Sequence, residues 1–257
     1  MPNIPQLVDT HCHIHEADYP LPASEVLERA RVAGVETLLC VGTSEQSSRD
    51  AIVFAQTHEK VYATVGVHPH DTQDGYSAIA VLASKPKVVA VGEIGLDYYY
   101  SHSPRDVQIA ALEAQLQIAR DHKLPVSFHV REAFEDFWPV LDNFPDVRGV
   151  LHSFTDSVTN LEQGLERGLY VAVNGISTFT RNEAQKAMFM AIPLNRLLLE
   201  TDSPFLTPVP FRGKVNEPGM VKEVAKYHAA ARGLELGQLA QHTTANAHTL
   251  FRFASAE

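Results

Sequence analysis

Val8-Asp9-Thr10-His11-Cys12-His13 closes the first apolar run of the chain and sets two histidines two residues apart. Residues i and i+2 of a β-strand project to the same side, so His11 and His13 send two imidazoles from one strand end into one small volume. Neutral imidazole is the commonest protein ligand for transition metals, and this is a chelating arrangement. Taken alone, His-X-His is a weak signal that more often marks two polar residues at a strand end. The stretch also bears on the fold. A doubly wound open sheet usually carries a Gly-rich phosphate loop after its first strand, and His-Cys-His stands there instead.

Outward from this stretch, a strand-like run followed by a helix-like one recurs. The strand candidates are Leu7–Thr10, Thr37–Val41, Val61–Val65, Val88–Val91, Val126–Phe128, Gly149–Leu151, Tyr170–Val173 and Leu197–Leu199. Most are rich in Val or Leu without strict alternation, as in strands of a parallel sheet covered on both faces. Between them lie helix candidates Ser24–Ala33, Ser44–Thr57, Arg105–His122 (preceded by Pro104), Ala133–Asn143, Val158–Arg167, Asn182–Ala191 and Met220–Arg232, with a shorter one at Ser77–Ser84 and a last at Thr243–Phe253. The long one places Ile109, Leu112, Leu116 and Ala119 on one face. Gly34 and Gly168 stand where helix C-terminal signals belong. Eight alternating units in 257 residues predict an α/β protein, a single TIM (β/α)₈ barrel domain over residues 1–257.

Barrel enzymes carry their active residues at the C-terminal ends of the strands. Those ends hold His11 and His13 (strand one), Glu93 (four), His129 (five), His152 (six) and Asp202 (eight). Each has an ordinary explanation alone: a satisfied core histidine, a turn carboxylate. Four histidines and two carboxylates sharing one position in the repeat predict a metal centre at the barrel mouth. Six ligands exceed one tetrahedral site and suit two divalent ions. Glu93 is the natural bridge, because strand four lies opposite strand one. One ion would take His11, His13, Glu93 and Asp202, the other Glu93, His129 and His152. Such pairs, roughly 3.5–4 Å apart, activate a water and stabilise attacking and leaving oxygens of a phosphoryl displacement.

Composition narrows the partners. A net charge of −10 argues against a broad, sequence-independent grip on duplex DNA, which needs a basic surface. It allows an enzyme that holds one chain end, since bound cations supply local positive charge. No apolar run approaches a membrane span or a signal peptide. The two cysteines, Cys12 and Cys40, fall in apolar runs and read as buried thiols in a reducing cytoplasm.

Several stretches together resemble the TatD family of metal-dependent hydrolases, especially its bacterial members. They are Val8–His13, Gly66-Val-His-Pro-His70, Gly92-Glu-Ile-Gly-Leu-Asp-Tyr-Tyr99, His129-Val-Arg131, His152-Ser-Phe-Thr155, Leu199-Glu-Thr-Asp-Ser-Pro204 and the loop Pro208–Lys214 with Asn216 and Pro218. The resemblance runs from residue 8 to the final helix. It implies a TIM-barrel phosphodiesterase, a Mg²⁺-dependent nuclease releasing nucleotides from the 3′ end of single-stranded DNA or RNA. The family's ligand positions match His11, His13, Glu93, His129, His152 and Asp202. Ser153 departs from the family, where many members have Cys.

Asp202 is expected to act as both ligand and acid/base, with Glu93 as the other catalytic carboxylate. His68, Arg131 and Arg212 are the substrate-binding candidates; each arginine is equally a loop brace. Glu200 and Asp97 read as groups that orient ligands, and His70 reads as loop surface. The run Tyr98-Tyr99-Tyr100 either stacks a terminal base or packs its loop. Four imidazoles favour Zn²⁺ and its neighbours over Mg²⁺, which prefers oxygen. Zn²⁺ thus fits the isolated protein, with Mg²⁺ or Mn²⁺ supporting turnover. The rival function is a small-molecule amidohydrolase acting on an amide, lactone or ester with the same activated water. Many such relatives bridge their metals with a carboxylated lysine after strand four, where this chain has Glu93. A barrel used only for binding leaves the base Asp202 without a purpose. No obligate protein partner is evident.

Overall fold

The computed structural model describes residues 6–100 and 102–253. In chain order the elements are β1 (Leu7–Cys12), α1 (Ala23–Ala33), β2 (Val35–Val41), α2 (Glu45–Gln56), β3 (Val61–Val65), a 3₁₀ turn (Pro69–Asp74), α3 (Ile79–Leu82), β4 (Val88–Asp97), α4 (Arg105–His122), β5 (Val126–Arg131), α5 (Phe134–Asp142), β6 (Gly149–Leu151), α6 (Val158–Glu166), β7 (Tyr170–Val173), α7 (Ile176–Phe179), α8 (Glu183–Ala191), β8 (Leu197–Leu199), a 3₁₀ turn (Pro218–Met220), α9 (Val221–Ala231) and α10 (Leu236–Phe251). The strands form one sheet in the order β1 to β8. β3–β4, β4–β5, β5–β6 and β7–β8 pair in parallel. β1 also runs beside the end of β8, where Thr10 Oγ1 donates to Leu199 O at 3.0 Å and Cys12 bridges Ser203. The architecture is a TIM (β/α)₈ barrel.

Contacts group the residues into two compact units, each interrupted along the chain. The first comprises residues up to Leu39, Ser153–Leu165 and Tyr170–Thr249. Its β1 and β8 are fully buried strands, and α9, which buries Val221, Val224, Ala225 and Ala229, packs against both. The second comprises Cys40–His152, Glu166–Leu169 and the residues from Leu250 onward. There Leu112, Leu116 and Ala119 of α4 are buried, α4 packs on β4, and Phe128 of β5 meets Phe137 of α5 edge-on at 5.1 Å. No helix among the described residues is long and apolar enough to cross a membrane.

Local chemistry sets most boundaries. Ser44 caps α2 by accepting from Ser47 N at 3.1 Å, and Asn182 caps α8 by accepting from Ala184 N at 3.0 Å. Gly34 ends α1 in the left-handed region at φ 93°, where a Cβ would be strained.

The first and fifth strands run on past Thr10 and Phe128 to Cys12 and Arg131, so His11 and His129 lie inside them rather than after them. Two further expectations need correction. The fourth strand does not stop at Val91 but continues to Asp97, so Glu93 lies inside β4 rather than after it. Gly92 and Gly95 look like strand breakers in the sequence. At Gly95, however, β4 and β5 approach so closely that a Cβ would strike the His129 carbonyl. The strand runs on because the side chain is missing. The last helix begins at Leu236, not Thr243. Its first turn contains Gly237 and polar residues that hide the periodicity.

Candidate metal centre

In the first unit, β1 delivers His11 and His13 and the turn after β8 delivers Asp202. The two Nε2 atoms are 3.2 Å apart. Asp202 Oδ1 is 3.8 Å from His11 Nε2 and 3.5 Å from His13 Nε2. Both imidazoles are buried and Asp202 is partly exposed. Asp202 sits at φ 58°, a left-handed conformation uncommon outside glycine. Its N–H donates to His11 O at 2.9 Å, and its carbonyl accepts from Phe205 N at 2.9 Å. The turn and β1 therefore fix the carboxylate against the histidines.

Asp9 is the brace beneath this cluster. Its buried carboxylate accepts from Thr201 N (2.8 Å), Thr201 Oγ1 (2.6 Å) and His11 N (3.3 Å). Burial raises its pKa, and the Thr201 hydrogen bonds oppose the rise. Asn216 holds the late loop, donating to Thr201 O at 2.9 Å and Phe205 O at 2.5 Å. Glu200 accepts from Ser153 N at 2.8 Å and Asn174 Nδ2 at 3.1 Å, so it organises the turn that follows β6.

In the second unit, one oxygen is the focus of three rings. Glu93 Oε1 lies 2.8 Å from His129 Nδ1 and 3.5 Å from both His68 Nε2 and His152 Nε2. His129 Nε2 contacts Asp97 Oδ2 at 2.9 Å, and His70 Nε2 reaches the same oxygen at 3.0 Å. His70 is thus half-buried and paired, not loop surface. Gln108 of α4 secures this end of β4, donating to Asp97 O at 3.0 Å and accepting from Asp97 N at 2.8 Å.

Electrostatics follow from these contacts. Burial lowers the His68 pKa to about 3, against the pull of Glu93, so the ring is neutral at neutral pH. Burial opposes charge on His129 too, but hydrogen bonds to Asp97 and Glu93 overcome it and raise the pKa. Burial works against ionised Asp97, yet the bonds from His129 and Tyr100 N–H hold it well below the usual carboxylate range.

The donor chemistry fits divalent cations. His68, Glu93 and His129 each offer one ligand atom, all within 4.8 Å of one another. In the first unit two imidazole nitrogens and a carboxylate oxygen meet within 3.8 Å. Imidazole and carboxylate together suit Zn²⁺, Mn²⁺ and related ions.

The remaining candidates separate. Arg131 is exposed at the end of β5. Arg212 is an exposed brace in its loop, with Nη1 donating to Thr207 O at 2.7 Å and the guanidinium 3.9 Å over the Phe179 ring. Asp9 and the pairing of His70 with Asp97 carry no linear signature, because their partners are distant in sequence.

The profile of the family described as TatD related DNase matches residues 8–252. An uncharacterised metal-dependent hydrolase of Bacillus subtilis, YabD, is 37% identical over 252 residues, covering 96% of this chain and 99% of its own. A protein of Citrobacter rodentium named 3′-5′ ssDNA/RNA exonuclease TatD is 37% identical over 256 residues, covering 95% and 97%. The crystal structure of YJJV, a TatD homologue from Escherichia coli, superposes with a TM-score of 0.89 at 28% identity, covering 98% and 100%. With its barrel, its imidazole–carboxylate clusters and these full-length relatives, the chain belongs to the TatD family of metal-dependent hydrolases.

Proposed function

We propose that the protein is a phosphodiesterase that removes nucleotides from the 3′ end of single-stranded DNA or RNA in the cytoplasm, residues 1–257 acting as one barrel domain. The observation that carries this reading is Glu93 Oε1 with three imidazoles within 3.5 Å. An anionic oxygen so surrounded suits a ligand shared between cations better than a structural salt bridge. The assignment gives one divalent ion to His11, His13 and Asp202, a second to His129 and His152, and Glu93 to both. Mg²⁺ or Mn²⁺ supports turnover, and Zn²⁺ fits the protein as isolated.

Divalent cations held by these residues would supply neutralisation of phosphate charge and acidification of a water. The chain's residues do the rest. Asp202, partly exposed and held by its turn, accepts the proton of the attacking water. His68, kept neutral by burial, offers a hydrogen bond to a phosphate oxygen. The name of the Citrobacter relative supports a nucleic-acid strand as the phosphodiester.

The test is a time course on 3′- and 5′-labelled single strands, with each metal added back to stripped protein. A ladder shortening from the 3′ end with Mg²⁺ or Mn²⁺ is expected. No cleavage of any strand, with turnover of a lactone or small ester, would assign the protein to amidohydrolase chemistry instead.

A further inference from the structure

The tyrosines that follow β4 divide their duties. Tyr98 is committed to packing: its hydroxyl donates to Asp136 at 2.7 Å, and Arg105 lies 4.1 Å over its ring. Tyr99 and Tyr100 are 53% and 51% exposed. Their rings meet edge-to-face at 4.8 Å, 88° apart. Arg131 stands over both, 4.1 Å from the centre of Tyr99 and 4.8 Å from that of Tyr100. Its guanidinium makes no ion pair or hydrogen bond among the described residues. Tyr100 also stacks on His102 at 5.9 Å and meets His70 edge-on at 5.4 Å, yet about half of each tyrosine stays open to solvent. In a chain of net charge −10, Arg131 is an exposed cation without a counter-ion beside them.

This patch is wired to the candidate metal centre through one carboxylate. Asp97 Oδ1 accepts from Tyr99 N and Tyr100 N, each at 3.0 Å. Its other oxygen takes His129 at 2.9 Å. The backbone carrying the two rings and the ring of His129 therefore share one anchor.

We infer that Tyr99, Tyr100 and Arg131 form a stacking platform for an unpaired nucleobase of the substrate strand, held in register with the scissile phosphate by Asp97. The inference rests on the nuclease reading above and adds to it the way the strand is gripped. Aromatic faces accept any base, so the grip is indifferent to sequence. A base inside a duplex is already stacked on its neighbours, so the platform favours single strands over blunt duplex ends. Arg131 adds a cation near the strand backbone while its ring contacts persist.

The platform is tested with the metal-loaded full chain on two substrates, a single-stranded oligonucleotide carrying 2-aminopurine at its 3′ end and bis(p-nitrophenyl) phosphate. A stacking contact of ordinary strength corresponds to roughly 5- to 150-fold in affinity. In Tyr99→Leu/Tyr100→Leu, kcat/KM for the oligonucleotide should fall about ten-fold or more relative to that for the small diester, mainly through KM. Tyr99→Phe/Tyr100→Phe should restore it. In an Asp202→Asn background, where the labelled end is not cut away, the 2-aminopurine fluorescence should be quenched by the protein carrying both tyrosines and not by the Leu pair. Should the pair fold poorly, Tyr100→Leu alone carries the same comparison. An unchanged ratio of the two kcat/KM values, with the parent degrading the strand, would overturn the platform and leave the nuclease intact. Equal loss on both substrates would reduce the tyrosines to packing. A parent protein that degrades no strand would overturn the nuclease reading and the platform with it.

Discussion

Asp202 and Glu93 carry the sharpest expectations for single residues. Asp202→Asn keeps the size and one oxygen but removes the proton acceptor, so turnover should fall about 100-fold or more. Metal analysis should still find His129 and His152 occupied, and near-normal turnover with both ions present would make Asp202 purely structural. Glu93→Ala withdraws the oxygen that three imidazoles face. Occupancy of both proposed ions should drop, and the thermal midpoint should fall with it. Two tightly held ions in that variant, measured by elemental analysis, would show that Glu93 bridges nothing. The motif histidines and both of these carboxylates stand out in the sequence because each follows or closes an apolar run, although β4 itself continues past Glu93. Asp9 and His70 do not. Their partners Thr201 and Asp97 lie 192 and 27 residues away, and nothing local marks a carboxylate as buried.

At the level of elements, all eight strands are legible as apolar runs, and the helix candidates open at Ser44 and Asn182, the residues that cap α2 and α8. What the sequence obscured is the length of β4, because a glycine serves breaker and close-packed strand equally well. Gly95→Ala discriminates between these roles. If Gly95 lay in a loop, the change would be nearly neutral or mildly stabilising. Against the His129 carbonyl it should cost about 2 kcal/mol or more, in the range of core overpacking plus backbone strain. Denaturant unfolding of the metal-free protein reads the difference. A midpoint within error of the parent would mean that β4 and β5 can separate there without penalty.

For the molecule as a whole, two charge effects follow. His228 is fully buried on α9, its Nε2 3.0 Å from Ser177 Oγ, and burial lowers its pKa to about 3. Below an unfolded value of about 6.5 the unfolded chain binds a proton that the native state refuses, so stability falls as pH falls. Between pH 7 and pH 5 this group alone accounts for about 2 kcal/mol. His228→Gln should lower stability at pH 7 yet shrink the loss between the two pH values by about that amount, as urea titrations would show. An unchanged loss would mean that His228 is protonated in the folded protein. The second effect concerns the acidic surface, which leaves few contacts for a nucleic-acid strand. With about three phosphates neutralised, log affinity against log salt should slope near −2. Anisotropy of a labelled strand in an Asp202→Asn background measures it, and a slope near −6 would require an extended basic track.

The stitching of β1 to the far end of the chain bears on how the protein is made. Thr10, His11 and Asp9 bond to Leu199, Asp202 and Thr201. During synthesis, which proceeds from the N-terminus at about 5–20 residues per second, the first strand must wait for four-fifths of the chain to leave the ribosome before these partners exist. The residues of the Glu93, His129 and His152 cluster have all been synthesised by residue 152, well before Asp202. The two halves of the chemistry are therefore born at different times, and a nascent chain stalled short of residue 202 holds His11 and His13 without Asp202.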